Sequence, residues 1–465
     1  ELPIKNLKLN PFYNAPLSLT LEIDTPLSGK FVINVLGQDG SKSNILLKPK
    51  YNGRNHKLEI FGLYPDYTNT IEISFVSDKG YVRKTQQISV KTSKMPDGFP
   101  SFNIVKKYDN FDQNTLILVN YRKTNAHLPF MVDPFGKIRW YSTGFSNTGK
   151  YALQKFKNGN IGFGVVGGGQ GKIYEYSMTG QIIQIYDVFP EYENIHHDVF
   201  EMPNGNLLVT VDKVGIDTVE DHILEIDRIS GSIQNVWDLR EVLPTDRFTL
   251  RKIGDGRDWF HTNAVIYDDR DNSLILSGQA QGLVKVSWDN KLKWILAPHE
   301  GWGDEYKDFL LNPDSNPFDW AWGQHAPLIL PNGNLMLFDN GFGRNFSNQP
   351  QYSRVVEYDI TESNIGGTIS QIWDYGKERG EDMFSPFISD VDYLEKSSSV
   401  FITAGSTAFD LTYVDFENQI LKGNIDQIET RIIEVNKEKE VLFEMTVEST
   451  TLGSTYRSEK ILINL

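Results

Sequence analysis

Gly231-Ser-Ile-Gln-Asn-Val-Trp237 reads as a turn followed by a strand that closes on an aromatic ring, and the chain repeats this unit six times. The other copies are Gly136-Lys-Ile-Arg-Trp140, Gly180-Gln-Ile-Ile-Gln-Ile-Tyr186, Asn290-Lys-Leu-Lys-Trp294, Gly367-Thr-Ile-Ser-Gln-Ile-Trp373 and the least regular, Glu438-Lys-Glu-Val-Leu-Phe443. An alternating strand precedes most of them, at 173–176, 223–226, 284–288, 355–359 and 432–435, so each unit contains a hairpin. A further strand is entered through Pro203-Asn-Gly-Asn206, Pro331-Asn-Gly-Asn334, or the variants Lys157-Asn-Gly-Asn160 and Asp269-Arg-Asp-Asn-Ser273. These features predict about four strands per unit. Such units cannot bury both faces alone, and radial stacking covers the faces while leaving only short edges. The expectation is an all-β fold, a six-bladed β-propeller over 96–465; a β-solenoid or an open pair of sandwiches fits units of this length poorly.

Upstream, residues 1–95 predict a small β-sandwich of the fibronectin III or Ig-like kind, with strands at 17–23, 29–35, 56–61, 70–76 and 86–90. The run Leu63-Tyr-Pro-Asp-Tyr67 resembles the loop-to-strand signature of fibronectin type III domains. Two prolines and a glycine make 93–100 a linker.

The 465 residues carry a formal charge of −15, which repels polyphosphate and anionic membrane surfaces, so neither nucleic acid nor a membrane is an expected partner. No cysteine is present, which removes thiolate chemistry and leaves oxygen and nitrogen groups to act. No apolar run is long enough to span a bilayer. The opening Glu1-Leu-Pro-Ile4 is neither an initiator methionine nor a signal peptide, which suggests a trimmed chain.

Three of the eight histidines occupy one slot of the repeat. His197 and His325 each lie six residues before their Pro-Asn-Gly-Asn turn, His261 eight before its variant, and successive members are 64 residues apart. One slot in consecutive blades means similar height and radius, so these side chains are predicted to meet at one end of the channel. The slot one repeat earlier falls near Tyr151, and one repeat later near 385–389. His56, His127, His196, His222 and His299 have no such register and read as structural. Alternation places Asn263 on the His261 face. The rings of Trp259, Phe260, Trp320 and Trp322 suggest an aromatic wall, although blade packing explains most of them equally well. Asp268 and Asp269 read as a solvated hairpin tip.

The stretches Trp259-Phe-His-Thr-Asn263, Lys293-Trp-Ile-Leu-Ala-Pro298, Trp322-Gly-Gln-His325 and Asp339-Asn-Gly-Phe-Gly-Arg344 resemble those of the bacterial arylsulfate sulfotransferases, a likeness that extends over nearly the whole chain. The resemblance implies a six-bladed propeller behind a small N-terminal β-domain, exported to the periplasm and homodimeric, with no cofactor. It implies transfer of a sulfuryl group from a phenolic sulfate to a phenolic acceptor without a nucleotide sulfate donor. By position, His325 is then the nucleophile that becomes a sulfohistidine, and His197, His261 and Asn263 contact the sulfuryl group or move protons. A neutral imidazole is a competent nucleophile, and two displacements give ping-pong kinetics. His197 is the expected acid and base, with protonated His261 and the Asn263 amide facing the sulfuryl oxygens.

The chain departs from the family at Gln279. Where the family carries Ser-Ser-Arg-His-Gln, this sequence reads Ser277-Gly-Gln-Ala-Gln281, and an amide supplies no charge. Arg344 is the candidate replacement cation, an exposed turn arginine being its alternative reading; Tyr151 completes the expected substrate contacts. Two other functions stay open: a metal-dependent hydrolase or lyase with the three histidines as ligands, for which Asp198 is the obvious supporting carboxylate, and an aryl-sulfate-binding propeller with weakened catalysis.

Overall fold

The computed structural model describes residues 1–123, 126–144, 152–165, 170–247, 256–346, 352–408, 411–415, 420–423, 428–449 and 453–463. Each of the six sequence repeats becomes the fourth strand outward from the channel in a sheet built on four antiparallel strands, and these sheets are the six blades of a propeller. Blades two to four have four strands each, blade one adds the short Ala126–His127, blade five the parallel Leu311–Pro313 outside its fourth strand, and blade six a fifth outer strand. Blade three is representative: Tyr192–Glu201, Leu207–Lys213, His222–Ile226 and Ile233–Asp238 pair in order from the innermost strand outward. The closing aromatics Trp140, Tyr186, Trp237, Trp294 and Phe443 are buried, so one large ring anchors each of these fourth strands. Separate apolar clusters fill the spaces between blades two and three, three and four, four and five, and five and six.

The asparagines of the Pro-Asn-Gly-Asn turns do more than bend the chain. Glycines 159, 205 and 333 take φ near +90°, which those turns require. The neighbouring amides then reach a carboxylate on the third strand: Asn158 and Asn160 hold Glu175, Asn206 holds Glu225, and Asn332 and Asn334 hold Glu357. Blade four differs. There Asp268 is buried and ion-paired to Arg270 and Lys285, both at 2.7 Å, so it is not the solvated tip expected from its sequence position.

Both ends of the propeller segment close the ring. Ser454–Leu462 pairs with Thr115–Lys123 as the innermost strand of blade one, and Ser101–Lys106 pairs with Val441–Ser449 as an extra outer strand on blade six. Pairing each terminus with sequence more than 300 residues away removes the edges at which an open ring would fray.

The N-terminal Ig-like β-sandwich contains one strand where two were expected. Ser18–Val35 runs unbroken for 18 residues, pairing with Gly53–Phe61 through its first part and with Thr68–Ser77 through its second. The changeover falls between Asp24 and Gly29, around Pro26, so the proline bends the strand without ending it. A Cβ at Gly29 would lie 2.4 Å from the Val76 carbonyl, which explains the glycine at that crossing. Arg139 of blade one is fully buried and donates to the carbonyls of Gly62 (2.9 Å) and Ser43 (2.7 Å), tying the two regions together. Among the described residues no helix is long and apolar enough to cross a membrane.

Candidate active site

Bulges in the innermost strands aim the histidines. His197 sits where the register of Tyr192–Glu201 shifts on both sides of His196, and its φ is +53°. His261, at φ +58°, immediately precedes Thr262–Asp268; His325 opens His325–Ile329 and is followed by Ala326 at +51°. Blade six repeats the device with Ile388 at +56° and Ser389 at +92°. Left-handed backbone at a non-glycine residue costs about 1–2 kcal/mol, so each bulge is held by its surroundings. Simple alternation fails for the same reason: Asn263 is the extra residue of the bulge between Thr262 and Ala264, and it does not share a face with His261 by strand periodicity.

The three histidines converge around Tyr456, which is contributed by the last strand of the chain. The His197 and His261 ring centres are 4.7 Å apart, and the Tyr456 ring is 5.8 Å from His197 and 6.3 Å from His325. His197 Nδ1 is 3.0 Å from the Tyr456 hydroxyl and its Nε2 3.1 Å from Glu220 Oε2. That same carboxylate oxygen lies 2.8 Å from His261 Nδ1, which also faces Asp258 Oδ2 at 2.5 Å.

His325 has its own support. Its Nδ1 lies 2.8 Å from Asn340 Oδ1 and 3.1 Å from the Gly323 carbonyl. Asn340 Nδ2 donates to the carbonyls of Ser385 and Ile388, both at 2.7 Å, so the amide cannot flip and its oxygen must face the ring. Two acceptors at Nδ1 require a proton there. The lone pair of the neutral ring is then at Nε2.

The charges divide unevenly. Burial holds His325 neutral, depressing its pKa to about 3 against the opposing effect of the hydrogen bond it donates to Asn340. Burial also lowers His197, to about 4, although Glu220 pulls the other way. For His261 burial is overcome by the carboxylates of Glu220 and Asp258, which raise it to about 10. Burial alone would raise Glu220, but the facing imidazoles, His261 foremost, hold it well below the usual carboxylate range. The cluster around His261 is therefore one imidazolium between two carboxylates, with a net negative charge.

Gln279 is buried beside these groups; its N–H donates to the His261 carbonyl at 3.1 Å, and its Cγ approaches Gly323. Asn263 is buried, with Nδ2 donating to the Gln324 carbonyl at 2.8 Å and Oδ1 unpaired. Arg344 is neither an exposed turn residue nor a group directed at the histidines: it is buried, ion-paired to Asp339 (2.7 Å) and Asp319 (2.9 Å). Tyr151 lies outside the described residues. Trp259 and Trp322 are buried, Trp259 donating to Asp221 at 2.9 Å, so these two rings belong to blade packing; Trp320 packs on Phe318 and His299. Asp198 pairs with Arg457 and accepts from the Val265 N–H, so it is not the carboxylate supporting the histidines.

That part belongs to Glu220 and Asp258, which sequence reasoning missed along with Asn340 and Tyr456. Asn340 lies inside the family-like stretch 339–344, and Asp258 immediately precedes the one at 259–263. Glu220 and Tyr456 carry no local signal, because each reaches the site from a distant segment.

A family model described as arylsulfotransferase (ASST) matches residues 102–457, and one described as arylsulfotransferase Ig-like domain matches residues 6–93. The chain belongs to the arylsulfotransferase family. With it comes membership of the transferases of sulfur-containing groups. This arylsulfotransferase is 29% identical to the arylsulfate sulfotransferase AssT of Escherichia coli O6:H1, an alignment covering 93% of this chain and 89% of the relative. It is 27% identical, with the same coverage, to arylsulfate sulfotransferase AssT of Lelliottia amnigena. Among solved structures, virginiamycin B lyase from Staphylococcus aureus aligns over 90% of this chain and 99% of its own, with 11% identity and a TM-score of 0.34, too low to bear on function.

Proposed function

We propose that this family member moves a sulfuryl group from a phenolic sulfate ester to a phenolic acceptor in two displacements through a sulfohistidine at His325, without a nucleotide sulfate donor. One observation carries the reading: the hydrogen bond from His325 Nδ1 to an Asn340 oxygen that cannot flip, which leaves Nε2 as the nucleophilic atom.

In the first displacement Nε2 forms a bond to sulfur, the ester S–O bond breaks, and the phenolate takes a proton. In the second, an acceptor phenol loses its proton, its oxygen bonds to sulfur, and the N–S bond breaks. The proton path differs from direct action by His197, because both of that ring's nitrogens already face partners. Ionised Glu220 can only accept, so His197 Nε2 carries the hydrogen toward it and Nδ1 accepts from Tyr456. The Tyr456 hydroxyl gives its proton to the departing phenolate in the first displacement, remains as tyrosinate, and takes the acceptor phenol's proton in the second, after which it again donates to His197 Nδ1. Protonated His261 and the second N–H of Asn263 would stabilise charge on the sulfuryl oxygens, while Gln279 contributes at most a neutral hydrogen bond. Gln279 and Tyr151 are proposed donor contacts; Arg344 acts by holding Asp339, the neighbour of Asn340.

The metal reading with three histidine ligands is disfavoured, because His325 lies outside both groups of converging ligand atoms found among the described residues. We further propose a boundary near residue 95 between the Ig-like domain and the propeller, export to the periplasm, and a homodimer in solution, the last measurable by light scattering. Incubation with a chromogenic aryl sulfate followed by peptide mass spectrometry tests the central step. The expected result is an acid-labile gain of about 80 Da on the His325 peptide, the mass also added by a phosphoryl group. Release of phenol with no gain on that peptide overturns the reading.

A further inference from the structure

Lysines gather at the seam between the Ig-like domain and blade two. A cavity of about 370 Å³ opens there, bordered by Lys50 and Lys57 from the Ig-like domain and by Lys155 and Lys157 from blade two. Ile463, in the same wall, directly follows the strand Ser454–Leu462 that carries Tyr456 near its start, so about 20 Å of extended chain separates the cavity from the histidine cluster. Strand alternation builds the Ig-like side. Within Gly53–Phe61, Leu58 and Ile60 turn into the sandwich core, which leaves Lys57, Glu59 and Phe61 on the face toward the propeller. Glu59 is the one carboxylate on the cavity wall, and it is already engaged, accepting from Thr179 of blade two at 3.1 Å.

Charge sets this cavity apart. Acidic groups outnumber basic ones in the chain by 61 to 46, yet none of these four lysines is ion-paired among the described residues, and Lys157 Nζ reaches only the Met202 carbonyl at 3.3 Å. Ammonium groups brought together repel, and an anion between them reverses that cost. The floor is apolar, with Phe61 1%, Met178 5% and Ile463 3% exposed.

We propose that this cavity binds a small aromatic polyanion, its ring on the apolar floor and its sulfate-like or phosphate-like oxyanions among the lysines. Lysine holds such groups as a flexible point charge, which suits a ligand whose position the ring fixes. The volume falls within the range of small-molecule sites. Both regions supply lysines, so the ligand also clamps the Ig-like domain onto blade two. Binding here is independent of sulfuryl transfer at His325.

The test titrates the whole protein with naphthalene-1,5-disulfonate, whose sulfurs are bonded to carbon and cannot be transferred, and in a second arm with 1-naphthyl phosphate. Calorimetry should report one equivalent bound of at least one probe, the tighter of the two naming the oxyanion, and the thermal midpoint should rise with it because only the folded junction binds. Lys57→Gln and Lys155→Gln, one from each side, should each weaken binding by about 10- to 100-fold, the worth of one charge-assisted hydrogen bond, whereas Lys57→Arg and Lys155→Arg retain it. Inorganic sulfate has no ring and should bind at least about tenfold more weakly. A melt without ligand checks that each variant is folded. No uptake of either probe by wild type, uptake unchanged in both glutamine variants, or sulfate bound as tightly as the aromatic probes overturns the proposal.

Discussion

Blades three to five line the central channel with imidazoles, whereas blades six, one and two line it with carboxylates. On the first side His197, His261 and His325 leave bulged strands toward one another. On the second, a cavity of about 130 Å³ is bordered by Gln154, Asp390, Asp392, Arg457 and Glu459. Burial, with Asp198 adding repulsion, raises Asp390; burial and Asp390 raise Asp392 well above its ordinary value. Burial also lifts Glu459, to about 7, despite Lys155 and Arg457. His325 on the first side and Glu459 on the second thus answer pH in opposite ways. Neutral His325 binds no proton when folded between about pH 3 and its ordinary value of 6.5, while the unfolded ring does, so its contribution to stability is lost as pH falls through that window. Glu459 keeps a proton when folded that the unfolded carboxyl has already released, so its contribution is lost as pH rises from its ordinary value of 4.5 toward 7. A reactive neutral imidazole at His325 and a proton-holding carboxylate wall are separate demands, met on opposite sides of one channel.

The largest expected effect breaks the first side. His325→Ala should lower sulfuryl transfer by on the order of 10⁴–10⁶-fold, as loss of a covalent nucleophile does elsewhere, while the protein still unfolds in a cooperative transition; steady-state rates and a melt check both. Next comes the tie between the halves. Arg457 donates to Asp198 at 3.0 Å, and Arg457→Met should cost about 3–5 kcal/mol in denaturant unfolding, because it leaves a buried carboxylate without its cation.

Asn340→Ala sharpens the comparison further. It removes the acceptor that fixes the His325 tautomer, and kcat should fall about 100-fold with KM for the donor little changed, the range expected for a partner that orients a reactive imidazole. The smallest effect belongs to the carboxylate side: Glu459→Gln should stabilise the fold by about 2 kcal/mol at pH 8 and by almost nothing at pH 4, since only the ionised carboxyl carries the burial cost. A variant equally stabilised at both pH values would show that Glu459 is not the group holding the proton.

The propeller was legible because its period is written locally, in turn, strand and closing ring, six times. Its closure was not, since Ser101–Lys106 and Ser454–Leu462 find partners far away in sequence and neither resembles a repeat. The continuous Ser18–Val35 strand was hidden by Pro26, which reads as a break but is a bend. Register alone brought out His197, His261 and His325, since equal spacing in a repeat becomes proximity in a ring. Asn263, by contrast, was assigned a face by an alternation that the His261 bulge interrupts. Glu220 and Tyr456 meet the histidines only through tertiary placement, so no spacing rule could have singled them out. Arg344 shows the opposite failure, a motif residue whose guanidinium serves Asp319 and Asp339 inside a blade.

The most direct measurement is nitrogen NMR of protein carrying ¹⁵N-labelled histidine, before and after reaction with an aryl sulfate. The account predicts that His325 at pH 7 holds its proton on Nδ1 with an unprotonated Nε2, and that the Nε2 resonance loses its pyridine-like position when the sulfuryl group arrives while Nδ1 keeps its hydrogen. A His325 ring protonated at Nε2 before reaction, or a sulfuryl group found on Nδ1, would contradict it.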